Sequence, residues 1–469
     1  MTRTAAIIGG GVIGGGWAAR FLLNGWNVRV FDPDPEARRK IGEVLDNARH
    51  ALPMLYDCAL PEEGGLSFHA TMSDAVAGAE WIQESVPERL ELKRKVYQTL
   101  QEHCDGAAVI GSSTSGFKPS ELQGCASNPG QIIVTHPFNP VYLMPLIEVV
   151  GTDKNQSAFL DRAKRVLTGL GLFPLHVRKE IDAHIADRFL EAVWREALWL
   201  IKDGIATTEE IDNAIRYGFG LRWGQMGLFE TYRIAGGEAG MKHFIDQFGP
   251  CLSWPWTKLM DVPELTDELA QMIADQSDAQ SGHLSIRQLE RKRDGNLVAM
   301  MRALKQQGNA AGRLVLDHQR TLESLPDMAN PLITQSRIVP VDWTDMNGHM
   351  NEGRYGQIFS DAAEVVMALV GADEDYVARG LSYFTVETTV RYLAETRAGE
   401  RVEVHSRVTE GHGKKLRCFH EMKRKSDGEV MATCDQLMLH VSLETRRTCE
   451  PPQDVAAKVE ALAALHKGE

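Results

Sequence analysis

Ala5-Ala6-Ile7-Ile8-Gly9-Gly10-Gly11-Val12-Ile13-Gly14 decides how the first part of the chain folds. Ala5 to Ile8 form a continuous apolar run, as expected of a strand buried on both faces of a parallel sheet. Trp17-Ala18-Ala19-Arg20-Phe21-Leu22-Leu23 reads as a helix. Between them Gly9, Gly11 and Gly14 give G-x-G-x-x-G at a strand-to-helix turn. There the missing side chains let backbone N–H groups approach a pyrophosphate at the positive end of a helix. A second strand, Val28 to Phe31, ends on Asp32, where an acid accepts from a ribose 2′-hydroxyl. That carboxylate repels a 2′-phosphate, so NAD is expected over NADP. Glycines also serve ordinary tight turns, and it is the order of strand, glycines, helix, strand and acid that carries the dinucleotide reading. Arg38 and Arg39 are expected on a solvated helix face.

At 469 residues the chain is long enough for two or three domains, each with its own core. With 43% hydrophobic and 25% charged residues it has the composition of a soluble globular protein, and its net charge of −13 argues against a nucleic-acid surface. Seven cysteines without a C-x-x-C fit reduced thiols in a cytoplasmic protein, with no structural zinc and no metal site expected. The uncharged run Leu122 to Ile147 contains four prolines and a histidine, so no membrane span is expected there.

After Asp32, short apolar runs at 80–86, 107–112 and 131–135 alternate with helical stretches, which implies a parallel doubly wound sheet. Chemistry in such sheets collects beyond the carboxyl ends of the strands. Three segments lie there: Glu84-Ser85-Val86-Pro87-Glu88 with Lys93 beyond it, Ser112-Ser113-Thr114-Ser115, and Thr135-His136-Pro137-Phe138-Asn139-Pro140 followed by Leu146-Ile147-Glu148-Val149-Val150. Glu148 is a candidate acceptor for the His136 imidazole, fixing its tautomer and strengthening it as a base. Taken alone, a histidine at a strand end is more often structural.

These motifs, in this order, resemble the 3-hydroxyacyl-CoA dehydrogenase family over roughly the first two-thirds of the chain. The resemblance implies that His136 is the general base, Glu148 its orienting partner and Ser115 a hydrogen-bond partner of the substrate oxygen. It places Glu88 and Lys93 beside the cofactor, NAD.

From Leu175 the pattern turns helical, and Ile185, Phe189, Val193 and Ala197 give one helix an apolar face. The family usually has asparagine near the start of this helix, where this chain has Asp187. The plain account of Asp187 is a salt bridge with Arg188 or a helix N-terminal charge worth under about 1 kcal/mol. The sharper account is a positively charged substrate. Arg216-Tyr217-Gly218-Phe219-Gly220-Leu221-Arg222-Trp223-Gly224 replaces the family's proline-containing loop. Trp223, with Tyr217 and Phe219, offers aromatic walls for a quaternary ammonium, and Arg222 a fork for a carboxylate. Singly, each aromatic is more often core. Together with Asp187 they point to a zwitterionic 3-hydroxy acid, of which L-carnitine is the example.

Arg302 to Gln319 reads as the last helix of this part, and Leu325 to Pro331 as a linker. Beyond it, Asp342-Trp343-Thr344-Asp345-Met346-Asn347-Gly348-His349-Met350-Asn351 precedes a helix with Tyr355, Ile358, Phe359, Ala362, Ala363 and Val366 on one face. Alternating strands such as Arg401 to Val408 follow. This region resembles the hot-dog thioesterases of the 4-hydroxybenzoyl-CoA type. By that resemblance Asp345 is the catalytic carboxylate, the amides around Gly348 and His349 polarise the thioester carbonyl, and Asn351 and Tyr355 line the pocket. Lys414 and Lys415 suit either CoA phosphates or a solvated basic turn.

The expected architecture is therefore an α/β Rossmann-type doubly wound domain (1–180), an all-α domain for substrate and dimerisation (181–322) and a C-terminal α+β hot-dog domain (331–460). Their pairing resembles dehydrogenase–thioesterase fusions of carnitine metabolism, and that resemblance implies oxidation of L-carnitine in the first part and hydrolysis of betainyl-CoA in the last, by a cytoplasmic homodimer. The alternatives are a short-chain 3-hydroxyacyl-CoA dehydrogenase fused to a general acyl-CoA thioesterase, and a non-catalytic role like that of lens lambda-crystallin.

Overall fold

The computed structural model describes residues 3–235, 240–248, 256–258, 264 and 266–467. The chain forms two compact units, Met1–Arg49 with Glu62–His318, and His50–Pro61 with Gln319–Glu469.

In the first unit eight strands, Thr4–Ile8 (β1), Asn27–Phe31 (β2), Leu66–Phe68 (β3), Trp81–Glu84 (β4), Val109–Ser112 (β5), Ile132–Pro137 (β6), Leu146–Val150 (β7) and Phe173–Val177 (β8), form one sheet in the order β3-β2-β1-β4-β5-β6-β7-β8. The order reverses between β1 and β4, which opens the crevice beyond their carboxyl ends. Every pairing is parallel except β6 with β7. The sequence reading had the sheet parallel throughout. The difference follows from chain length, because residues 138–145 are too few for the crossover a parallel pair needs. This reversal sets His136 directly opposite Glu148 in register.

After β8 the described residues of the unit are mainly helical. The helix Ala186–Lys202 buries only Leu198 and Ile201. Of its apolar face, Ile185 and Phe189 are exposed while Val193 and Ala197 are half-buried. The segment expected as one helix from Arg302 to Gln319 spans two, Ile286–Gln306 and Ala310–Leu322. Gly308, at φ +60°, and Ala310, at φ +45°, turn the backbone left-handed between them.

The second unit wraps an antiparallel sheet around one helix. Its strands are Leu332–Ile338 (β9), Leu381–Tyr392 (β10), Arg401–His412 (β11), Lys415–Arg424 (β12) and Val430–Ser442 (β13), in the order β10-β13-β12-β11-β9, with Arg447–Thr448 (β14) on β13. The helix Glu352–Leu369 buries Tyr355, Ile358, Phe359, Ala362, Ala363 and Val366, the face its spacing marks.

Between helix and sheet runs a buried polar chain: Thr334 and Ser406 hydroxyls lie 2.6 Å apart, and Ser406 meets His420 Nδ1 at 2.7 Å. Burial pushes His420 down to about 4. The folded protein thus holds the ring neutral where the unfolded chain protonates it. The resulting stability is full above pH 6.5 and is lost as pH falls towards 4, by about 3 kcal/mol. Urea denaturation at pH 7 and pH 4.5 should show this loss, flattened in His420→Leu. Equal pH slopes in the two proteins would contradict it.

Candidate active site

The glycine turn is built as its spacing requires. Gly9 lies at φ +104°, and a Cβ there would sit 2.6 Å from Ser85 O. A Cβ on Gly14 would fall on the Gly9 carbonyl, so the start of the helix Val12–Leu22 needs glycine. A Cβ on Gly11 would meet nothing within 4 Å, which leaves that backbone open to a ligand. Asp32 accepts from Gly10 N and, at 2.7 Å, from Asp34 N, which holds the acid at the rim of the same turn. An open amide turn at a helix N-terminus with a carboxylate beside it fits NAD. Arg39 pairs with Glu36 and Glu43 on an exposed helix face.

Lys93 is buried, with its ammonium 2.8 Å from Glu84, 3.2 Å from Glu88 and 3.2 Å from Val86 O. It anchors the Ser85–Glu88 turn that Gly9 touches. Glu84 is wholly buried and also accepts from Tyr97, Ser112 and Val86 N. Its partners come from three different elements, so no local sequence pattern marks it. Glu88 accepts from Thr114 Oγ1 and, at 3.3 Å, from Gly116 N, tying that turn to the loop of Ser115. Burial pushes the Glu88 carboxyl up, but Thr114 and Lys93 outweigh this and hold it below its ordinary value.

His136 is the meeting point. Its Nδ1 lies 3.0 Å from Glu148 Oε2 and its Nε2 lies 3.2 Å from Ser115 Oγ. Glu148 Oε1 accepts from the amides of Ile185 and Ala186, at 2.8 and 2.9 Å, at the start of the helix Ala186–Lys202. Burial pushes Glu148 up, but the His136 hydrogen bond and these two amides outweigh it, so the carboxylate stays charged. Charged, it accepts the Nδ1 proton and leaves Nε2 with its lone pair facing Ser115, as a general base requires.

Asp187 extends from the same helix to place Oδ2 3.7 Å from His136 Nε2. It faces His136, Glu148, His184 and Glu191, and burial raises its carboxyl. Among the described residues no ion pair joins it to Arg188. His184, absent from the sequence reading, is wholly buried with its ring 5.4 Å from that of His136. Its Nε2 lies 3.2 Å from Thr114 O, which can only accept, so the ring carries its proton on Nε2. Ala183 and His184 both adopt positive φ, and an alanine gives no sign of this in a sequence.

Phe219 and Trp223 rings pack 4.5 Å apart, Tyr217 is exposed, and among the described residues no hydrogen bond, ion pair or ring contact joins Tyr217, Arg222 or Trp223 to His136.

In the second unit Asp345 is exposed and accepts from Asn347 N at 2.8 Å. The Gly348 amide already donates to Asp345 O at 3.0 Å, and the helix begins only at Glu352. Asn351 caps that helix through Gly353 N, and Tyr355 is buried with its hydroxyl on Thr396. His349 lies 3.1 Å from Glu395. Lys415 pairs with Glu410 at 3.0 Å on an exposed turn.

Three family models cover the chain: 3-hydroxyacyl-CoA dehydrogenase NAD-binding domain over residues 4–181, the C-terminal domain of that family over 184–269, and the thioesterase-like superfamily over 339–459. An "L-carnitine dehydrogenase/betainyl-CoA thioesterase" of Ruegeria pomeroyi is 64% identical over 99% of this chain and 96% of its own length. The chain belongs to the L-carnitine dehydrogenase/betainyl-CoA thioesterase family. A member of that family from Agrobacterium fabrum is 51% identical over 99% of this chain and 95% of its own. A Mesorhizobium japonicum "L-carnitine dehydrogenase" is 56% identical over 69% of this chain and 91% of its own. Among solved structures, FHMPC 5-dehydrogenase, described as an NAD+-dependent dismutase, matches 66% of this chain and all of its own at 27% identity and a TM-score of 0.55. As a member of the family, the chain is an NAD-dependent oxidoreductase fused to a thioester hydrolase. No described helix is long and apolar enough to cross a membrane.

Proposed function

We propose that the first part of the chain oxidises L-carnitine to 3-dehydrocarnitine with NAD, and that the last part hydrolyses betainyl-CoA to glycine betaine. The observation that carries the substrate is Asp187, an acid 3.7 Å from the imidazole of His136. The names of the Ruegeria and Agrobacterium relatives agree with this reading. Bound NAD supplies the hydride acceptor. His136 Nε2 takes the proton of the 3-hydroxyl, Glu148 stabilises the imidazolium that results, and Ser115 donates to the substrate oxygen. Gly9, Gly11, Gly14 and Asp32 hold the cofactor, with Glu88 and Lys93 fixing the adjoining turn.

Asp187 offsets the trimethylammonium charge, Trp223 supplies an aromatic wall for it and Arg222 meets the carboxylate. For the second reaction Asp345 attacks the thioester or activates water, with Asn351 and Tyr355 shaping its surroundings. Domain limits of 1–180, 181–322 and 331–460 accompany this assignment, as do a cytoplasmic location and a homodimer. Exposed Phe189, Leu190, Trp194, Leu221, Phe229 and Ile234 in the helical part support the dimer, since so much apolar surface favours a partner.

The test is NADH formation from L-carnitine beside 3-hydroxybutyrate, its relative without the cation; preference for 3-hydroxybutyrate would overturn the cation site. Trp223→Leu is expected to raise KM for L-carnitine about 30-fold with little change in kcat, the effect of losing a desolvated cation–π contact. An unchanged KM would remove Trp223 from the site.

A further inference from the structure

Oxidation leaves a proton on a buried base. His136 is only 4% exposed, with Nδ1 engaged by Glu148 and Nε2 turned towards Ser115 and Asp187. The ring must lose that proton before it can act again. We propose that Asp187 is the proton exit of the dehydrogenase site, taking the proton from His136 Nε2 after the keto product leaves and passing it to solvent. The inference rests on the reading of His136 as the general base.

The geometry gives three reasons. Asp187 Oδ2 is 3.7 Å from Nε2, a gap that a small side-chain rotation or one water closes. Its side chain is 21% exposed, so one carboxylate reaches both the buried ring and solvent. The other groups facing it are Glu148, His184 and Glu191. Glu148 has its oxygens taken by His136 and two amides, and Glu191 points towards Arg195, 3.6 Å away. His184 offers only an unpartnered Nδ1, buried within the protein. Burial raises the Asp187 carboxyl, bringing its proton affinity closer to that of an imidazole, which favours transfer between them.

In the step, the His136 Nε2–H bond breaks and an Asp187 Oδ2–H bond forms, the electron pair staying on the ring. The carboxyl then releases its proton to water, and both groups return to their starting state. An asparagine, which the resemblance places here in relatives, cannot hold the proton in this way. The acid in this chain therefore serves turnover as well as substrate charge.

Stopped-flow measurement on the full chain, with saturating L-carnitine and NAD, follows NADH absorbance together with a pH-indicator dye. In the native protein, protons should appear in step with NADH. Asp187→Asn is expected to raise KM for L-carnitine and, at concentrations that saturate the variant, to form one NADH per site and then slow about 10- to 100-fold relative to that first turnover, with added imidazole restoring the later turnovers. That first burst also shows that the variant is folded and binds cofactor. Continued cycling at the native rate would overturn the proposal, as would loss of the burst itself or a raised KM as the sole change. A lag in His184→Asn and none in Asp187→Asn would move the exit to His184 and overturn it equally. If L-carnitine fails as a substrate, the same measurement with whichever 3-hydroxy compound reduces NAD tests the relay separately from the substrate assignment.

Discussion

His136→Ala is expected to lower kcat for NAD reduction about 10²–10⁴-fold while NAD affinity stays native. The size follows from how completely the imidazole is held. Glu148 orients it from one side at 3.0 Å, two helix amides hold Glu148 in turn, and Ser115 faces the free nitrogen at 3.2 Å. The glycine turn follows β1 and Asp32 follows β2, away from the strands that carry His136 and Glu148, so cofactor binding does not depend on the ring. Stopped-flow kinetics and NADH fluorescence titration separate the two quantities. Native turnover in the variant would move the base to another residue and would undo the roles given to Glu148 and Ser115. A weakened NAD affinity with an unchanged rate would make His136 structural.

The second large effect belongs to the other unit. Asp345→Asn should reduce betainyl-CoA hydrolysis by about 10²–10⁴-fold and leave NAD reduction unaltered. The asparagine carbonyl can still accept from Asn347 N, as Asp345 does at 2.8 Å, so the turn survives while the charge needed for attack or base catalysis is lost. Release of free CoA thiol gives the rate. Unimpaired hydrolysis would make Asp345 a turn residue and send the search to His349 and Glu395, which pair 3.1 Å apart nearby.

Much of this was legible in the sequence where the signal was local. The glycine turn, Asp32 and the six buried residues of the helix Glu352–Leu369 follow from spacing alone. His136 and Glu148 were readable as a candidate pair, but the reason they meet is the antiparallel turn of β7 against β6, forced by a link too short to cross over. Lys93 was placed beside the cofactor by resemblance; in the fold it is buried on Glu84, whose partners converge only in three dimensions. Asp187 stood out as a departure, whereas His184 did not, since its position depends on two left-handed residues that are neither glycine nor asparagine. The apolar stripe of the helix Ala186–Lys202 was readable from its period, but that period does not say what covers it, and the stripe is only partly buried.

The most direct measurement is NADH formation by the full chain with L-carnitine and, separately, with 3-hydroxybutyryl-CoA. Turnover of L-carnitine with little or none of the CoA ester is the predicted result. Turnover of the CoA ester alone would contradict the account.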